Sequence, residues 1–329
     1  YRAMNIIDYK DYFIKATEYA AVASAQLRGC KDKNKADQAA VNAMRTTLMD
    51  APLDIRIAIG EGEIDEAPML YIGEKLGTHV GDNSVLPIDV AVDPLECTKN
   101  CANDAPNAMT VMAISERGHL FRAPDTYMNK LVVGSSCKGV VSIDSSIRTN
   151  IFNIADKLGK SNDELKEIVL ERPRNQYIVD ELNNLGVQIE MISDGDVAAS
   201  LRVASNEAHA YMGIGSAPEG VIGATAVKGL DGFFDGQLRF HSDEAKQRAM
   251  NMSSHAVDEK INIDKLCSSS NSMFVATGVC DGWIPGVTIN NGVATTSSIL
   301  IDVKNKEIIR ITNSYLINEV NEYILGGVK

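Results

Sequence analysis

Two short runs rich in β-branched apolar residues, Arg56-Ile57-Ala58-Ile59 and Leu86-Pro87-Ile88-Asp89-Val90-Ala91-Val92, each end in a group of carboxylates. The first leads into Gly60-Glu61-Gly62-Glu63-Ile64-Asp65-Glu66, the second into Asp93-Pro94-Leu95-Glu96-Cys97-Thr98. Runs of this kind predict buried strands, so the acids fall where strands give way to loops. Carboxylates gathered there repel one another unless protons or cations come between them, and hard divalent cations take all-oxygen ligands. The expectation is a magnesium or manganese centre.

The remaining sequence narrows the partners. A formal net charge of −12 argues against a nucleic acid or an anionic membrane, since either requires a positive face. An anionic substrate remains compatible if metal ions reverse the local field. The 329 residues suffice for one large domain or two lobes. The six cysteines show no C-x-x-C pair and the five histidines are scattered, so reduced thiols are expected and a zinc motif is not. No apolar run reaches the roughly 18–20 residues of a membrane span. The expected location is the cytoplasm; an organelle stays open because the chain begins at Tyr1 rather than at a methionine.

Along the chain, helices are expected over Tyr9–Leu27, from about Ala36 to Met49, and over Ala67–Leu76, with Met109–Ile114 as a third core strand. Residues 1–150 read as an α+β lobe carrying the metal loops. Residues 151–329 read as an α/β lobe, with helices Ile147–Leu158 and Asn175–Leu185, strands Glu167–Leu170, Val187–Ile192 and Ala208–Ile214, and helices opening at Asp196 and after Pro218. Open α/β sheets place ligands at the C-terminal ends of their parallel strands, and Asp194, Asp196, Ser216 and Glu219 occupy such positions.

Several residues invite two readings. Pro94 fixes a turn in which Asp93 and Glu96 can converge on a cation with the Thr98 hydroxyl beside them, although an Asp-Pro turn capping a helix would look the same. Asp37 opens a helix, which alone would account for it, yet Lys33 and Asn34 nearby point to a phosphate or metal. Arg172-Pro173-Arg174 offers two guanidinium groups for a phosphate, or a solvated basic turn. Tyr127 can donate to a substrate or cap the core. Capping explains Asp196, and a favourable first-turn charge explains Glu219, but with the upstream acids they would complete an oxygen cage.

At these residues the chain resembles a known family. Glu61 to Gly77, Ala36 to Arg45, Ala123-Pro124-Asp125 through Met128, Asp194 to Ser200 and Gly213 to Val221 resemble the class II fructose-1,6-bisphosphatases of the GlpX type, over roughly residues 15–315. The stretch from Cys101 through Glu116 to Phe121 looks like the cyanobacterial branch, whose members also hydrolyse sedoheptulose-1,7-bisphosphate. The resemblance implies a layered αβαβα sugar-phosphatase fold and metal-dependent hydrolysis of the 1-phosphate of fructose-1,6-bisphosphate, a step of gluconeogenesis. It implies two or more Mg²⁺ or Mn²⁺ ions held by Asp37, Glu61, Asp93, Glu96 and Glu219. It also implies substrate contacts at Glu96, Cys97, Thr98, Tyr127, Arg172, Pro173, Arg174, Asp194, Gly195, Asp196 and Ser216. Thr98 and Asp37 would carry the catalysis, supported by Lys33 and Asp65, in a homodimer or homotetramer.

Three departures stand out: Cys97 where the family has glycine, a shorter and diverged segment over His241–Ser254, and Pro285 in place of a glutamate. Cys97 would crowd a backbone that glycine lets approach the phosphate. Competing readings are an inositol- or nucleotide-phosphate phosphatase with the same metal apparatus, and a non-catalytic sugar-phosphate sensor disabled by Cys97. Cys97 and Cys101 together also raise the prospect of redox control.

Overall fold

The last strands in the chain return to pair with the first group, and that pairing decides the architecture. The structure, a computed structural model, describes residues 4–240, 242–244, 246–247 and 260–328. It divides into two compact units, Tyr1–Leu120 with Ser269–Lys329, and Phe121–Ser268. The expected boundary at residue 150 is therefore displaced, and the last sixty residues belong to the first unit. The reason is long-range strand pairing: β11 (Ser272–Gly278) runs antiparallel to β4 (Met109–Glu116), with Ser272 opposite Ser115 and Gly278 opposite Met109. Most of the expected segment His241–Ser254 lies outside the described residues.

In the first unit, β1 (Asp54–Ile59), β2 (Lys75–Leu76), β3 (Pro87–Glu96), β4, β11, β12 (Thr288–Asn290), β13 (Val293–Asp302) and β14 (Glu307–Leu316) form one sheet in the order β12-β13-β11-β4-β3-β1-β2, with β14 on β13. Only β1 and β3 are parallel within it, which brings Glu61 and Glu96 to the same end. Two helices, α1 (Lys10–Ala25) and α2 (Lys33–Asp50), cover one face and share a core with Ile57, Val90, Met112 and Val275. Both begin near their expected starts, α2 three residues early because the Asp32 side chain caps it by accepting from Lys35 N at 3.1 Å.

One sequence expectation fails here. Ala67–Leu76 forms turns and the two-residue strand β2 instead of a helix. The Glu74 carboxylate organises those turns, accepting from Leu70 N at 2.9 Å and from Arg45 Nε and Nη2 at 3.2 and 3.1 Å. A helix would break these contacts. Beneath the loops, the fully buried Asp89 takes Arg56 Nε and Nη2 at 2.8 and 2.7 Å and Gly118 N at 2.9 Å. Arg117 ties the same region to Asp54 at 3.2 Å.

In the second unit the sheet order is β10-β9-β5-β8-β6-β7, from β5 (Tyr127–Val133), β6 (Lys166–Leu170), β7 (Gln188–Ile192), β8 (Ala210–Ser216), β9 (Phe233–Arg239) and β10 (Lys260–Asn262). Strands β6, β7 and β8 are mutually parallel. Leu131, Val133, Val169 and Met212 pack against α4 (Ile147–Leu158) and α5 (Gln176–Asn184), while the alternate residues face α6 (Asp196–Ala204) and α7 (Ala217–Gly229). The mixed α/β class is as expected. All six cysteines are free thiols, and no described helix is long and apolar enough to cross a membrane.

Glu167 is anomalous in this core. It shares a face with Leu165, just before β6, and Val169, is fully buried, and neither carboxylate oxygen has a hydrogen-bond partner among the described residues. Burial pushes its carboxyl up to about 8. Between the ordinary carboxylate pKa of about 4.3 and 8, the folded chain keeps a proton that the unfolded chain has lost, so this group's contribution falls as pH rises. Glu167→Gln should remove roughly 3–4 kcal/mol of that decline between pH 5 and pH 8, read as the difference in urea midpoints between the two proteins. Parallel pH profiles would contradict the burial assigned to Glu167.

Candidate active site

The first unit assembles its acids from three separate elements. Asp37 lies five residues into α2, one turn beyond the cap, so stabilising the helix N-terminus is the work of Asp32 and not of Asp37. Glu61 follows β1 in a loop pinned from both sides: Glu61 N donates to Leu70 O at 2.9 Å and Ile72 N to Gly62 O at 2.9 Å. Gly60 permits this close pass, since a Cβ there would stand 2.0 Å from Leu70 O. Asp93 comes from β3, which continues beyond it through Pro94 to Glu96, where the expected turn would have been. Its pairing with β4 shifts register between Asp93 and Glu96, which accommodates a proline that has no N–H for the ladder.

These acids feel one another. The Glu61 carboxyl is pushed up to about 8 by burial and then by the negative charges of Asp37 and Asp93. Burial also raises Asp37. Half-buried oxygen donors whose charges oppose one another are the donor set a hard divalent ion takes, and the cluster fits one. Glu96 is buried at the end of β3. By contrast Glu63, Asp65 and Lys33 are exposed, Lys33 one helical turn before Asp37 on α2.

Cys97 and Thr98 follow directly. Cys97 has φ +62 and ψ +48, the left-handed conformation that favours glycine, and opens α3 (Thr98–Ala102). A left-handed backbone is thus a reason for glycine here that differs from the crowding expected of the Cys97 side chain. Thr98 Oγ1 donates to Leu95 O at 2.7 Å, so its hydrogen is held by the backbone and its oxygen is left to accept. Cys101 is buried and hydrogen-bonded to Cys280, which raises its thiol pKa.

In the second unit the expected residues gather at one end of the sheet. Arg172, Pro173 and Arg174 follow β6, Asp194, Gly195 and Asp196 follow β7, and Ser216 and Glu219 stand at the junction of β8 and α7. Tyr127 starts β5 opposite Ser216. Gly195 takes φ +89 as it turns the chain into α6. Arg174 lies over the Tyr127 ring at 4.3 Å and donates Nε to Ile214 O at 2.8 Å, whereas Arg172 gives Nη1 to the carbonyls of Glu171 and Ser193 at 2.7 and 2.8 Å.

Sequence reasoning missed the group at the centre of this end. Lys130 is 2% exposed and its ammonium meets Asp196 Oδ2, which Tyr211 also approaches at 3.4 Å. The Tyr211 hydroxyl is pushed well up by burial, Asp196 and Glu219. Gly215 and Gly220 make room for the pair: a Cβ on Gly215 would meet Asp196 Oδ2 at 2.6 Å, and one on Gly220 would meet Lys130 Cε at 3.3 Å. Asp196 Oδ1 is buried without a hydrogen-bond partner among the described residues, and Asp196 and Glu219 offer oxygens within 4.8 Å of each other. The signal in the sequence was a lysine amid apolar strand residues, Met128 to Val133.

The model of the family described as bacterial fructose-1,6-bisphosphatase, glpX-encoded, matches residues 8–315. The chain belongs to that family. The class 2 fructose-1,6-bisphosphatase 1 of Escherichia coli is 39% identical over 324 residues, covering 93% of this chain and 94% of that protein. The D-fructose 1,6-bisphosphatase class 2/sedoheptulose 1,7-bisphosphatase of Synechococcus elongatus is 40% identical over 316 residues, covering 89% of this chain and 92% of its own length. An inositol monophosphatase structure from Anabaena (Nostoc) aligns at 18% identity and a TM-score of 0.37, covering 68% of this chain and 82% of that one.

Membership of the glpX-encoded family sharpens the test at Cys97. Glycine would relieve a left-handed strain of about 1–2 kcal/mol while giving up a thiol that is 5% exposed, so Cys97→Gly should shift stability by no more than about 1 kcal/mol. Cys97→Val, β-branched at positive φ, should cost about 2 kcal/mol or more in urea unfolding. Equal stability of the two variants would contradict the backbone conformation at Cys97.

Proposed function

We propose that the chain hydrolyses the 1-phosphate of fructose 1,6-bisphosphate, giving fructose 6-phosphate and inorganic phosphate. The observation that carries this reading is the Glu61 carboxyl, lifted to about 8 beside Asp37 and Asp93 in a chain of this family. We assign Asp37, Glu61, Asp93 and Glu96 on the first unit, and Glu219 on the second, to two or more divalent cations, Mg²⁺ or Mn²⁺. Such ions, when bound, offset phosphoryl charge and lower the pKa of a coordinated water.

The protein groups do the rest. Thr98 Oγ1, its hydrogen given to Leu95 O, accepts a hydrogen bond from the attacking water and aims its lone pair at phosphorus. Asp37 takes the proton that this water gives up. Water adds to phosphorus as the bond to the C1 oxygen breaks, so no covalent intermediate with the protein forms. On the second unit, Arg174, stacked on Tyr127, presents its remaining N–H groups to a phosphate. Asp196 Oδ1 accepts from a sugar hydroxyl, with Lys130 holding the carboxylate in place. Asp194, Gly195, Ser216, Pro173 and Arg172 shape the same pocket edge, Arg172 by fixing the turn. Lys33, one helical turn before Asp37 on α2, and Asp65, in the loop after Glu61, are the exposed supports of these groups.

A second substrate, sedoheptulose 1,7-bisphosphate, is favoured by the relatives whose names carry both activities. Phosphate release from the two ketose bisphosphates, inositol monophosphate and adenosine bisphosphate, each with Mg²⁺ and Mn²⁺, tests the proposal. Release should be confined to the ketose bisphosphates. Glu61→Gln and Asp93→Asn should each lower it by about a thousandfold with the fold intact, because several kcal/mol of charge stabilisation is lost. Preference for inositol monophosphate, or near-normal turnover in either variant, would overturn it.

A further inference from the structure

The strands that carry the second unit's substrate loops have another end, and a cavity of about 270 Å³ lies there. It is lined by Ser136, Leu158, Lys160, Asn206, Ala208 and His209, among others. His209 immediately precedes β8, Lys160 precedes β6, and Ser136 follows β5. Arg174, Glu219 and Tyr127 stand at the opposite termini of the same three strands, which are five to seven residues long. At about 3.3 Å per residue, that puts the cavity roughly 15–20 Å from the residues assigned to the ester.

The hydrogen-bond chemistry of the cavity is unfinished. Lys166 N donates to His209 Nδ1 at 2.9 Å, and His209 N donates back to Lys166 O at 2.9 Å. A backbone amide can only donate, so Nδ1 holds a lone pair and the imidazole hydrogen resides on Nε2. Burial and the neighbouring Lys160 charge lower the His209 pKa, consistent with a neutral ring. Nε2 lies 3.2 Å from Lys160 Nζ, which also has only hydrogens to offer. Two donors therefore face each other at the exposed rim of the cavity, and among the described residues no acceptor lies between them.

The surroundings favour an anion. Among the described residues no ion pair to Lys160 is formed, in a chain whose net charge is −12. The Ser136 hydroxyl and the Asn206 side chain add hydrogen-bonding groups at the rim, with Asn206 held at φ +67. Gly134 admits that side chain, for a Cβ there would stand 2.8 Å from Asn206 Oδ1. Leu158 and Ala208 supply an apolar wall for whatever the anionic group is attached to.

We propose that this cavity is a second anion site, which takes a phosphate group through Lys160 Nζ and His209 Nε2–H and is separate from the ester-cleaving residues. One phosphate oxygen accepts from both donors and resolves their opposition. The source is either free phosphate or a small phosphate monoester.

Equilibrium dialysis of the metal-loaded, full-length protein against radiolabelled inorganic phosphate tests the site. The wild type should bind one phosphate more per chain than Lys160→Met, and affinity at that site should fall by about tenfold or more in the variant. Turnover measured without added phosphate should be unchanged in Lys160→Met. His209→Gln, whose amide can accept from Lys166 N and donate outward, should retain the site, and His209→Phe should lose it. Competition by glycerol 3-phosphate assigns the site to esterified phosphate, and its failure to compete assigns it to the free ion. Equal phosphate stoichiometry and affinity in wild type and Lys160→Met, or loss of the site in His209→Gln with retention in His209→Phe, would overturn the proposal.

Discussion

Three carboxylates, Asp37, Glu61 and Asp93, are held half-buried, and burial followed by the charges of the other two raises the cost of charge on Glu61. Nothing in the intrinsic preferences of the chain favours this arrangement; the surrounding structure imposes it. Asp37 comes from inside a helix capped by another residue, Glu61 from a loop that passes within contact of Leu70 O, and Asp93 from a strand that shifts register at Pro94. Arg45 and Glu74 lock the loop, while Arg56, Asp89 and Arg117 brace the strands below it. Removing one partner from such buried pairs strands a charge, which costs about 3–5 kcal/mol. That rigidity lets the acids remain in place although they repel.

The second unit arranges its acid differently. There Asp196 is buried with one oxygen meeting the Lys130 ammonium and approached by Tyr211, and glycines 215 and 220 leave the space that the contact requires. The pattern that reads in sequence as a glycine-rich strand-to-helix turn is therefore a packing requirement of a buried ion pair. A glycine position is filled differently at Cys97, where the left-handed backbone is kept and the side chain is carried at some strain.

What the sequence made legible was local. Glu61 and Asp93 stood out because an apolar strand pattern and an acidic group are adjacent in the chain, and Asp194, Asp196, Ser216 and Glu219 because each follows a strand. Glu74 was hidden: Ala67–Leu76 has helical periodicity, and the carboxylate acquires its role only when Arg45 arrives from α2. Lys130 and Tyr211 were hidden for a similar reason, since both sit on apolar strands and find Asp196 across the sheet. The domain boundary was misplaced because the pairing of β11 with β4 joins residues more than 150 positions apart, beyond the reach of any periodicity.

The central claim is that Glu61 holds a proton which a divalent cation must displace. Proton release on adding Mg²⁺ or Mn²⁺ to the metal-free protein at pH 7, followed in a weakly buffered solution, measures this directly. With the carboxyl near 8, binding should release about one proton per chain, and Glu61→Gln should bind with that release abolished. Cation binding with no proton release from the wild type, or equal release from the variant, would contradict it.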